Sequence, residues 1–131
     1  MYSSGNVTVM VSDMNRAVQF YTETLGLHLT YRHANDFATV ELDKGLTIGL
    51  HPGGDPTKSH GGGLSIGLEL SGSIREAVAQ LEAKGVQFQG GIREGKSGAF
   101  AHFTDPDGNP IYLAQLNWRH VEEGEGKYQT R

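Results

Sequence analysis

The amino-acid sequence is written twice. The stretch VTVMVSDMNRAVQFYTETLGLHL, Val7 to Leu29, returns in outline as IGLELSGSIREAVAQLEAKGVQF, Ile66 to Phe88. Each copy reads as alternating strand, polar cap, amphipathic helix, glycine stop and second strand, and Gly26 falls on Gly85. Two more strand-like runs follow in each copy, FATVEL and LTIGLH after the first, AFAHFT and PIYLAQL after the second, with Ile48 falling on Ile111. The offset between copies lengthens in the second because of the glycine-rich stretch GGIREGKSG, which reads as a loop. A duplicated βαβββ unit implies an α+β fold of two tandem modules in one domain, because neither copy alone can bury both faces of its sheet. Module one is placed at about residues 6–51, a linker at 52–63, module two at about 64–116 and a polar tail at 117–131. The linker, HPGGDPTKSHGGG with its flanking His51, is rich in residues that break strands and helices and is expected to be mobile. The tail is expected to be partly disordered, with Trp118 as a candidate cap on the core or wall of a cavity.

Charge and composition exclude several classes of function. With 131 residues, a formal net charge of −4 and no basic stripe, the chain lacks the electrostatic drive for binding a polyphosphate backbone, so nucleic acid is not an expected partner. No apolar run reaches the roughly 18–20 residues that span a bilayer, and the N-terminus lacks a basic region before an apolar stretch. The expectation is a cytoplasmic protein without membrane association. With 0 Cys there are no disulfides, thiolate ligands or thiol nucleophiles, which leaves any metal to His and carboxylates.

Parity along the strands separates two faces. Val7, Val9 and Val11 alternate with Asn6, Thr8 and Met10, the period of a strand with one buried side. Helix one starts after Ser12 or Asp13, sets Met14, Ala17, Val18, Tyr21 and Leu25 on one side and stops at Gly26. Helix two opens with the capping box Ser73 to Glu76, carries Ile74, Ala77, Val78 and Leu81 as its stripe, and stops at Gly85. Ala38, Val40, Leu42, Ile48, Leu50, Ile66, Leu68, Leu70, Ala101, Phe103, Ile111 and Leu113 form the set expected under the helices. The opposite set mixes Met10, Phe37, Thr39, Glu41, His51, Glu69, Phe100, His102 and Tyr112. Polar groups among aromatic ones suit a ligand cavity, and a plain sheet with one wet face would read the same way.

Several local motifs dissolve on inspection. Gly90 to Ser97, GGIREGKS, satisfies the spacing of a phosphate-binding loop, but such a cradle needs a helix directly after it, and the alternating strand AFAHFT follows instead. DPDGN, Asp105 to Asn109, offers carboxylates to a cation, yet two apolar strands flank it at hairpin distance and it reads as a turn. His102 is the sharpest single candidate: either it orients a ligand or moves a proton, or it is a solvated histidine without a role. His51 ends its strand before Pro52, either as a ligand contact or as a linker residue, and Glu41 and Glu69 are either cavity acids or rim charges. Tyr112 suits both stacking on and orienting a planar ligand.

The motifs VSDMNRAVQFYTETLGLHL and FTDPDGNPIYL, one in each module and in this order, resemble the vicinal oxygen chelate superfamily, which includes glyoxalase I, extradiol dioxygenases, fosfomycin-resistance enzymes and bleomycin-resistance-type binding proteins. The match covers roughly residues 6–116. The resemblance implies paired βαβββ modules forming a half-open barrel around a small-molecule cavity, often completed by a homodimer that exchanges modules. It also implies where a metal would sit, because metal-dependent members place one ligand on the first strand and one on the last strand of each module. Here those positions hold Asn6, Gly49, Ser65 and Tyr112, none of them the His or Glu of the metal enzymes.

The expectation is therefore a metal-independent small-molecule-binding protein of the glyoxalase/bleomycin-resistance type, without cofactor and dimeric, that sequesters an aromatic or amphipathic ligand. Met10, Phe37, Phe100 and Tyr112 would supply apolar walls, and Thr39, His51, Glu69 and His102 the orienting polar groups. The alternative is a lyase, isomerase or dioxygenase-like enzyme of the same superfamily, with a displaced metal among His51, Glu69, His102 or Glu41, or with acid–base chemistry by His102 and Glu69. A third reading is an interaction module with a vestigial cavity.

Overall fold

A computed structural model describes residues 1, 5–55, 64–96 and 98–117. Most of the linker and nearly all of the tail, Trp118 included, lie outside the described residues. The duplication is visible as two sheets of identical strand order. Module one runs β1 (Val7–Val11), α1 (Met14–Gln19), β2 (His28–His33), β3 (Phe37–Glu41) and β4 (Thr47–Pro52), and its sheet is ordered β1-β4-β3-β2. Module two runs β5 (Ile66–Glu69), α2 (Ile74–Ala83), β6 (Gln89–Gly95), β7 (Gly98–Thr104) and β8 (Pro110–Leu116), ordered β5-β8-β7-β6. First and last strands of each module pair in parallel, β1 with β4 and β5 with β8, while β2–β3, β3–β4 and β6–β7 are antiparallel. Each sheet ends in two edge strands, so neither is closed into a barrel.

The helices form where their caps and stripes place them. The Asp13 side chain accepts from the Arg16 amide at 3.1 Å, and Ser73 Oγ accepts from the Glu76 amide at 3.3 Å, each satisfying an amide that a helix start leaves without a partner. Gly26 and Gly85 follow the helices with φ of 83° and 97°, a left-handed backbone open to glycine without steric cost. Met14, Ala17, Val18 and Tyr21 from the first helix and Ile74 and Val78 from the second are buried, as are Ala38, Val40, Ile48, Leu50, Ile66, Leu68, Ala101, Phe103, Ile111 and Leu113 of the sheets. Burying each of the larger of these side chains is worth about 1.5–3 kcal/mol, so the alternation read in the sequence is the main source of stability.

Three local features depart from the sequence reading. The first helix is not α-helical to its end: Phe20–Thr24 forms a π-turn, closed by the Leu25 amide on the Phe20 carbonyl at 2.9 Å. Thr22 Oγ1 takes the Val18 carbonyl at 2.6 Å, a side-chain bond that competes with the regular helical ladder. The second strand of module two does not lie at Val86–Phe88; it is β6, and it runs through most of the stretch read as a glycine-rich loop. A register shift between Gln89 and Arg93, at Gly90 and Gly91 with φ of 79° and 69°, absorbs the extra residues as a bulge. Similarly, β2 extends to His33, well past the apolar residues that signalled it.

The DPDGN segment is a turn, with the Gly108 amide on the Asp105 carbonyl and the Asp105 amide on the Asn109 carbonyl, both at 3.0 Å. It is also a buried polar core. Residues Thr104–Asn109 group with residues 1–62 as one compact unit, apart from the rest of module two. Asp105 is only 3% exposed and carries no ion pair among the described residues, yet its oxygens accept four hydrogen bonds: from the Asp107 and Asn109 amides at 2.9 and 2.8 Å, from Tyr21 Oη at 2.8 Å and from Asn109 Nδ2 at 2.7 Å. Asp107 Oδ1 accepts from the Ser12 amide at 2.8 Å, just ahead of the first helix. Burial, reinforced by the charges of Asp105 and Asp107, holds the Tyr21 hydroxyl well above its usual range, so it stays a donor.

Candidate functional site

The residues opposite the cores form one face in each module. In module one, parallel pairing sets Thr8 beside Gly49 and Met10 beside His51, and antiparallel pairing sets Thr39 beside Gly49. A Cβ on Gly49 would stand 2.8 Å from Thr8 Oγ1 and 3.2 Å from Phe37 Cζ, so glycine is what allows those two side chains to cross the strand. Phe37 lies between two further rings, Tyr31 and His51, with both centroids at 6.5 Å. His51 Nδ1 donates to the Pro52 carbonyl at 2.7 Å, which leaves Nε2 as the acceptor of the neutral ring. Thr39 shares a hydroxyl hydrogen bond with Thr30 at 2.8 Å, and Asn6 Oδ1 accepts from Thr8 Oγ1 at 3.2 Å. Met10 is exposed, 44% of its surface in solvent.

Module two inverts the arrangement. Here glycine is on the first strand, Gly67, and the crossing side chain is on the last, Tyr112, paired with it in parallel register. A Cβ on Gly67 would meet Tyr112 Oη at 2.5 Å and Cζ at 2.6 Å, so the phenol ring lies directly over the β5 backbone. The His102 ring lies tilted against Tyr112, with centroids 5.5 Å apart and planes at 32°, and Phe100 flanks the same ring at 6.3 Å. His102 Nδ1 is shut off from solvent and has no hydrogen-bond partner, the one such side-chain atom among the described residues. Glu69 is exposed at the β5 edge.

Phe37, Thr39, His51 and Met10 thus fall on one face in module one, and Phe100, His102, Tyr112 and Glu69 on one face in module two. Sequence reasoning passed over two contributors. Tyr31 stands in register with Thr39 on β2, and Arg93 with Phe100 on β6; both lie on strands whose extent the apolar pattern did not reveal.

Known proteins share this fold. The chain belongs to the glyoxalase/bleomycin resistance protein/dioxygenase superfamily, whose model matches residues 4–113. Similar solved structures include a glyoxalase/bleomycin resistance protein from Streptomyces sp. CB03234, at 27% identity and a TM-score of 0.66, covering 86% of this chain and 100% of that one. TnmS3, an antibiotic binding protein from the same organism, is 25% identical with a TM-score of 0.67, over 89% of this chain and 99% of its own. A superfamily member from Sphaerobacter thermophilus DSM 20745 reaches 27% identity and a TM-score of 0.69, over 88% of this chain and 98% of its own. None of the curated proteins matches.

The superfamily's metal chemistry does not fit these residues. Gly49 has no side-chain donor, Tyr112 is turned onto Gly67 as a ring, and Asn6 and Ser65 are neutral groups that bind a divalent ion far less well than imidazole or carboxylate. Among the described residues no three His, Asp or Glu side chains stand together as a ligand set. No described helix is long and apolar enough to cross a membrane.

Proposed function

We propose that the chain is a metal-independent small-molecule-binding protein that sequesters an aromatic or amphipathic ligand and works as a homodimer in the cytoplasm. The observation that carries this reading is the exchange at the last strand of module two, where the metal-dependent relatives hold a carboxylate and this chain lays the Tyr112 ring across Gly67. An aromatic ring there presents a π-face, and the His102 ring beside it extends the aromatic surface. The description of TnmS3 as an antibiotic binding protein supports the same class of function. The module-one face, with Phe37 between Tyr31 and His51 and with Met10 and Thr39 on the same side, offers a second set of rings, and Glu69 is the proposed acidic contact of the module-two face.

Two measurements test the proposal. Elemental analysis of protein purified without added metal is expected to find no stoichiometric Zn, Fe, Mn or Ni; about one ion per chain retained through desalting would overturn metal independence and favour a superfamily enzyme. A thermal-shift screen of aromatic compounds is expected to yield ligands whose binding weakens by about 1–3 kcal/mol in His102→Ala and in Tyr112→Ala. Unchanged affinity in both variants would place binding elsewhere.

A further inference from the structure

Charged side chains stand at both edges of the sheet that carries Tyr112. The module-two face spans four strands in the order β5-β8-β7-β6, about 14 Å from edge to edge at the usual strand spacing. Tyr112 on β8 and His102 and Phe100 on β7 occupy its middle. At the β6 edge Arg93 stands opposite Phe100 in antiparallel register, and directly opposed residues project to the same side of a sheet. Its chain neighbour confirms the side. Glu94 is engaged by Arg75 of α2 at 2.9 Å, so Glu94 points to the helix face and Arg93, by alternation, to the aromatic one. Arg93 is exposed and has no carboxylate partner among the described residues. At the opposite edge, on the same side as Gly67, is Glu69.

The face is therefore polar across its width, with an acid at one edge, a guanidinium at the other and tilted aromatic rings between them. We infer that this face selects planar aromatic anions, with the ring system over Tyr112 and His102 and the acidic oxygens toward Arg93. The guanidinium is suited to that role because its planar fork pairs carboxylate and other oxyanions through two parallel N–H donors. Glu69 repels the same group from the other edge, so attraction and repulsion set one orientation. A cation of the same shape meets the opposite field at Arg93. The inference rests on the reading of the chain as a binder of aromatic molecules, and it adds the sign of the ligand's charge and the residue that reads it.

The test compares two probes of nearly the same shape and different charge, 2-naphthoate and 2-naphthamide, titrated into the full chain by calorimetry or naphthyl fluorescence at pH 7. Naphthoate is expected to bind about five- to tenfold more tightly than naphthamide, a modest ratio because an exposed guanidinium is partly screened by water. Raising salt from about 50 mM to about 500 mM should narrow the ratio. In Arg93→Gln, naphthoate affinity should fall to near that of the amide, and Arg93→Lys should keep part of the preference. Thermal unfolding of each variant shows whether the fold is intact. Equal affinities for the two probes in the parent, or a preference that survives Arg93→Gln in a folded protein, would overturn the anion reading while leaving aromatic binding standing. If neither probe binds at all, the aromatic-binding reading fails and this inference fails with it.

Discussion

Tyr21 shows how much a single side chain can carry when its hydroxyl faces a buried carboxylate. Its bond to Asp105 belongs to a set of four donors that replaces water around a carboxylate 3% exposed. Tyr21→Phe removes one donor and leaves three, so it is expected to destabilise by about 1–2 kcal/mol at pH 7 in urea unfolding. The pH dependence has a definite sign. Because the folded-state hydroxyl is held above its ordinary value of 10.0, its contribution is fully present below that pH and is lost as pH rises beyond it. The stability gap between parent and Tyr21→Phe should therefore shrink above about pH 10, and a gap constant to pH 11 would show that Tyr21 does not titrate with unfolding. Gly67 makes the complementary point, since its role is to be absent. Its backbone is extended, so alanine adds no backbone strain, but the new methyl would strike the Tyr112 ring. Gly67→Ala is expected to leave folding nearly intact, swing Tyr112 aside and weaken aromatic probes about tenfold. Adding Tyr112→Ala should cost little more, because the two changes remove the same platform.

At the level of elements, legibility followed the strength of the local signal. The second helix was legible from Ser73 to Gly85 because cap, stripe and stop all pointed to one answer. Ser73→Ala should accordingly cost about 1 kcal/mol by chemical unfolding, and a loss below a few tenths would mean that Gln115 Oε1, on the Ile74 amide at 2.7 Å, caps the helix alone. The strand β6 was not legible. Glycines at positive φ and the charged pair Arg93 and Glu94 look like loop residues, and nothing local says that their amides will be recruited by β7. The π-turn at Phe20–Thr24 was equally silent, since a wider turn keeps the same residues on nearly the same side. The consequence for the site is direct: Arg93 was missed because its strand was missed. The parity of β7 and β8, by contrast, places His102, Phe100 and Tyr112 on one face from the sequence alone, though not the orphaned Nδ1 or the ring lying over Gly67.

On the scale of the whole chain, the four edge strands β1, β2, β5 and β6 present backbone groups that a second copy can cover, and β2 carries exposed Leu29 and Tyr31, at 46% and 53%. A homodimer is the expected state in sedimentation or light scattering at micromolar concentration, with a monomer across that range counting against it. The sequence by itself determined the repeat, the α+β class, the helix limits and most of the alternate residues that face the core, though Val7, read on the buried side, is 38% exposed; each of these rests on a periodicity or a cap a few residues long. Tertiary structure alone decided that the DPDGN turn is a buried polar core joined to Tyr21 and Ser12, that a glycine-rich stretch is an edge strand, and which glycine each crossing side chain covers. Those outcomes depend on hydrogen bonds and contacts between residues far apart in the chain, such as the 95 positions between Ser12 and Asp107, and no local pattern encodes a partner at that distance.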